Sequence, residues 1–154
     1  MTFNELLLFI HIVFAIAWVG GSISLSLNGV RAMSSKDTSA RMHFLKQAEF
    51  MVRVFNVSGI VVAAAGIWIV IRLDPPYGFE QFWISFALAA VIVSALLGMF
   101  FFAPQIRKAL AMGESEGSAS PALEALGRRI GQVATLELLM LVAVVWAMVV
   151  KPGL

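Results

Sequence analysis

Four long apolar runs, residues 6–27, 54–71, 82–103 and 130–150, alternate with three polar connections. At a helical rise of 1.5 Å per residue they extend about 33, 27, 33 and 31 Å, close to the roughly 30 Å hydrocarbon core of a bilayer. Each run is apolar all round, which is how a membrane span reads, whereas a helix on a soluble core carries one apolar stripe. The pattern predicts an all-α fold. Its architecture is a four-helix transmembrane bundle with antiparallel neighbours, one integral membrane domain over residues 1–154.

The connections refine this picture. In residues 28–53, Asp37 is placed to cap a helix that runs through His43 and Gln47 directly into the second span, leaving His43 solvated at the interface. Asp74, Pro75, Pro76, Tyr77 and Gly78 form a strong turn signal, so spans two and three are antiparallel neighbours. Residues 104–129 begin with Pro104 and contain the flexible polar piece Gly113, Glu114, Ser115, Glu116, Gly117 and Ser118. Ser120 and Pro121 then restart a helix as N-cap and first helical residue, leading into span four. No cleavable leader is expected, because residues 1–5 carry no Lys or Arg and the run that follows is long enough to span.

Composition agrees with a bilayer protein: 60% hydrophobic and 13% charged residues, with a mean hydropathy of +0.92. The absence of cysteine excludes disulfides, thiolate metal sites and cysteine nucleophiles. A pI near 9.4 would admit nucleic acid as a partner, but topology accounts for the basic residues instead. Nine Lys and Arg lie in the first and third connections and two, Arg72 and Lys151, on the other side. The positive-inside rule therefore puts both polar connections in the cytoplasm and both termini outside (N-out/C-out), in a multi-pass protein of the cytoplasmic (inner) membrane. Lipid is the expected partner, nucleic acid is not, and a homo-oligomer stays open.

Two ionisable residues fall inside the spans, and such residues are functional-site hypotheses by default. His11 lies about 8 Å below the outer end of span one, on a face shared with Ala15, Trp18, Ser22 and Ser26. Gly66, Ala87 and Trp146 reach the same depth on the other spans, and Met148 lies close to it. Small residues beside a histidine and tryptophans leave room for a flat apolar ligand such as a porphyrin or a quinone; equally, they let helix backbones approach closely. Neutral imidazole is also the commonest metal-binding side chain, so His11 is the candidate metal ligand. Glu137 sits about 20 Å from the outer end, too deep to meet His11. Thr135, Gln132 and Asn56 share its half of the membrane, and Glu137, Thr135 and Asn56 form a candidate buried proton or cation site.

His11 followed by Trp18, Gly20 and Gly21 resembles a loose superfamily of small bacterial membrane proteins that includes HemJ-type protoporphyrinogen oxidases, CopD-type copper resistance proteins and a branch of predicted integral membrane proteins. The similarity continues through Leu45-Lys46-Gln47 to Gly59 and Gly66, from Trp83 to Arg107, Lys108, Gly113 and Glu114, and to Lys151-Pro152. HemJ-type enzymes bind haem b through a histidine of helix one, which His11 matches, and a lysine of helix three, whose place is taken here by Ala87. The chain is most similar to the third branch. The resemblance implies haem b or porphyrin binding with a redox role. His11 would be the axial ligand, Trp18, Gly66 and Trp146 the pocket lining, and Met148 a sixth ligand if there is one; as an enzyme, the protein would be a membrane oxidoreductase. The alternatives are a CopD-like protein handling copper or another cation, and a structural or assembly subunit.

Overall fold

The computed structural model describes residues 2–35, 37–72, 78–115 and 120–153. It consists of α1 (Phe3–Ser34), α2 (Thr38–Arg72), α3 (Phe82–Leu97), a π-helical turn (Gly98–Phe102), α4 (Ala103–Ser115) and α5 (Pro121–Val150). Four continuous helical rods are long and apolar enough to cross a membrane, the third being α3, the π turn and α4 together. The rods form one bundle in which α1 packs on α2 and α5, and the third rod packs on α2 and α5.

Local chemistry explains where the helices begin. The Thr2 hydroxyl accepts from the Glu5 N–H while the Glu5 carboxylate accepts from the Thr2 N–H, so a capping box opens α1. Asp37 caps α2 as expected: its carboxylate accepts from the N–H and the hydroxyl of Ser39, each at 2.8 Å. Ser120 and Pro121 open α5, with the Ser120 hydroxyl accepting from the Leu123 N–H.

The Asp37 cap carries a pH signature. The Ser39 hydroxyl, then the Ser39 N–H, holds the carboxyl below the ordinary aspartate value of 3.8. A carboxyl whose pKa falls on folding stabilises the fold above its unfolded value, and that contribution disappears as pH drops through the lowered one. Asp37→Ala is therefore expected to lower the thermal midpoint at neutral pH. The gap from wild type should close progressively as pH falls below 3.8, and a gap independent of pH would contradict the cap.

The run 6–27 is the middle of the longer helix α1, and α2 runs, as expected, from its Asp37 cap directly into the second span, so only residues 35–37 separate α1 from α2. One expectation is corrected. The third rod does not stop at Ala103. It passes through Pro104 to Ser115, so Gly113, Glu114 and Ser115 are helical; residues 116–119 lie outside the described part. The π turn makes this continuation tolerable. Proline lacks an N–H and its ring crowds the carbonyl of the preceding turn. Widening the helix just before it, with the Ala103 N–H bonded to the Gly98 carbonyl, opens that turn. The turn expected at Asp74–Tyr77 also lies outside the described residues.

The core is a column of side chains between the rods. Trp83, Ile84 and Ala147 fill the end nearer the two termini, and Trp18, Val62 and Leu141 come next. Ala48, Val52, Phe102 and Ile106 follow, and Leu45, Ala109 and Leu123 close the opposite end. The α1–α2 seam is made by rings laid on glycines: Trp18 against Gly59, Phe55 against Gly21 and Phe44 against Gly29. Large apolar side chains such as Ile16, Phe100 and Val149 point outward, as a lipid-facing surface requires.

Candidate functional site

His11 projects from the N-terminal half of α1 toward α2, and its Nδ1 lies 2.9 Å from the main-chain carbonyl oxygen of Val62. A carbonyl can only accept, so Nδ1 carries the proton and donates, and Nε2 of the neutral ring keeps its lone pair. Among the described residues Nε2 has no hydrogen-bond partner. Gly66 explains how the carbonyl is reached. Residue i+4 of a helix stands over the carbonyl of residue i, and a Cβ on Gly66 would lie 3.1 Å from Cε1 and 3.3 Å from Nδ1 of His11. The missing side chain admits the imidazole.

Two turns inward on the same face of α1, Trp18 is buried on Gly59 and packs with Val62 and Leu141. It closes the bundle beneath His11. Beyond His11, a shallow cleft of about 320 Å³ opens between the start of α1 and the end of α2, lined by Phe3, Asn4, Trp68 and Arg72. Asn4 precedes His11 by seven residues and so shares its face. Phe3 meets Trp68 edge-on, and the Arg72 guanidinium lies 5.2 Å from the centre of the Trp68 ring. This pairing of a cation with aromatic rings suits the membrane interface.

The other expected residues are distributed differently. Ala87 is buried in α3. Trp146 is 57% exposed on the outer surface of α5, so it faces away from the bundle. Met148 packs on Trp83, Ile84 and Ala147. Thr135 is exposed and its hydroxyl donates to the carbonyl of Gly131 on its own helix, so it is not drawn toward Glu137. The Glu137 carboxyl instead faces Ser94 of α3, a residue missing from the sequence reading because a single serine in an apolar run carries no distinguishing signal. Among the described residues no three His, Cys, Asp or Glu side chains come together. His11 thus has no set of such partners with which to enclose a bare metal ion.

A family model described as predicted integral membrane protein (DUF2269) matches residues 5–152. The chain belongs to that family. The match takes in all four membrane-spanning rods, and His11, Ser94 and Glu137 lie inside it. No curated protein and no solved structure matches the chain. The protein is accordingly an integral, multi-pass membrane protein with four apolar helices.

Proposed function

We propose that this protein binds haem b or a related porphyrin through Nε2 of His11, near the outer face of the bundle. The hydrogen bond from Nδ1 to the Val62 carbonyl carries the reading. A ligating histidine typically donates its other N–H to a carbonyl or carboxylate, which sets the tautomer, fixes the ring and raises the basicity of the ligating nitrogen. The residues fit a group that needs one axial ligand from the protein. They fit a bare copper ion less well, since a metal site without a macrocycle draws several ligands from the chain. The HemJ resemblance of His11, Trp18, Gly20 and Gly21 points the same way.

Bound haem would supply one-electron chemistry, and the chain would set its position and potential. Val62 holds the imidazole, Gly66 keeps that hydrogen bond reachable, and Trp18 seals the interior against water. Ala87, at the place of the helix-three lysine, has no side-chain atom that could ligate the iron, so His11 is the residue that would hold the group. A redox role with a membrane quinone as electron partner, in the bacterial inner membrane with both termini outside, completes the reading.

The test is the visible spectrum of detergent-purified protein from haem-supplemented cells, before and after dithionite. A Soret band that sharpens on reduction and is lost in His11→Ala is the expected result. A colourless wild-type protein overturns the reading. It would leave the His11–Val62 hydrogen bond as a clamp between helices, a contact worth about 0.6–2 kcal/mol.

A further inference from the structure

Ser94 and Gly98 lie one turn apart on the inward face of the third rod, and the π turn starts at Gly98. Both residues are buried. From α2, the Asn56 side-chain oxygen rests against Gly98 in the space a Cβ would take. From α5, the Glu137 carboxyl faces Ser94. Ser94 is 3% exposed, and its buried hydroxyl makes no hydrogen bond of ordinary geometry. Three helices thus bring oxygen-bearing side chains to one turn of the third rod, beside an irregular turn, and π turns recur at functional sites.

No basic side chain balances this carboxyl among the described ion pairs. Arg53 of α2 and Arg107 of α4 both pair with Glu49. On α5 itself, Arg129 lies over the Phe101 ring, with its guanidinium carbon 5.8 Å from the ring centre. His11 of α1 is engaged with Val62, nearer the outer surface. A carboxylate inside a span with no counter-charge is costly, and one positive charge neutralises it. Oxygen ligands of this kind suit a hard cation.

The geometry points to a binding site for a single positive charge, a proton or a monovalent cation such as Na⁺, made by Glu137, Ser94 and Asn56. The site is independent of His11. It differs from the grouping expected from sequence in that Ser94 replaces Thr135.

Dicyclohexylcarbodiimide, an apolar reagent that modifies protonated carboxyls, tests this on the purified wild-type protein, with peptide mass spectrometry as the readout. Glu137 should be modified, at a rate falling about tenfold per pH unit on the alkaline side of its midpoint. If the occupant is a monovalent cation, Na⁺ at fixed pH slows the modification; if it is a proton alone, Na⁺ has no effect. Ser94→Ala should shift the pH midpoint or weaken the Na⁺ protection while the protein remains folded, and His11→Ala should be modified like wild type. Glu137→Gln must lose the label, with Glu137→Asp in reserve if that variant does not fold. Failure to modify Glu137 in the wild type, or modification indifferent to both pH and Na⁺, would overturn the proposal.

Discussion

Leu123→Ala is expected to destabilise the protein by about 2–5 kcal/mol, the usual cost of emptying a close-packed aliphatic site. Leu123 is 1% exposed and packs with Leu45 and Ala109, and Met42, Leu110 and Leu126 close around them. Here the start of α2, the body of α4 and the first turn of α5 converge. Their polar outer faces are tied more weakly, by an Arg41–Glu124 contact at 3.6 Å with the glutamate well exposed. Such an ion pair contributes at most about 1 kcal/mol, so apolar packing dominates the joint. A marked fall in the thermal midpoint of the detergent-solubilised protein is the expected observation. Leu136→Ala on the lipid-facing side of α5, where Leu136 is 67% exposed, should change it by no more than about 0.5 kcal/mol. Equal effects at the two leucines would mean that these helix ends do not pack as described.

Gly66→Val is expected to have the largest effect on the His11 site. Even the first carbon of the new side chain would stand 3.1 Å from the imidazole, and the branches beyond it would occupy the approach to the Val62 carbonyl. Overpacking of this kind costs about 1–3 kcal/mol, less if the ring swings away. The hydrogen bond is lost in either case. Nitrogen NMR of His11, whose only other histidine neighbour in the spectrum is His43, should show the Nδ1-protonated tautomer in wild type and its loss in the variant. If haem is bound, the same substitution should weaken or abolish the Soret band. Gly20→Val, at a position with nothing within 4 Å of a new Cβ, should leave the tautomer unchanged. Retention of the wild-type tautomer in Gly66→Val would show that Gly66 is not what admits the ring.

Depth was legible in the sequence, and azimuth was not. Counting residues along apolar runs places His11 and Gly66 at one level, and the structure pairs them through the Val62 carbonyl one turn away. Counting also separates His11 from Glu137. It puts Trp146 at the level of His11 as well, yet Trp146 faces outward, because a helix that is apolar all round holds no record of which face meets its neighbours. The same ambiguity put Thr135 in the Glu137 group and left Ser94 out. Thr135 lies close to Glu137 in sequence, but two residues along a helix turn a side chain to another face, and its hydroxyl satisfies itself on its own backbone.

The sequence by itself determined the all-helical class, the four spans, and the helix starts at Asp37 and Ser120, since these depend on apolar length and on hydrogen bonds made within a few residues. Only the tertiary structure decided that the third span runs on through Pro104 by way of a π turn, that a missing side chain at Gly66 opens a carbonyl to His11, and that Ser94 is what Glu137 faces. Each of these depends on which helix faces are pressed together, a choice made by side-chain packing between rods whose surfaces are equally at home in lipid or in the bundle.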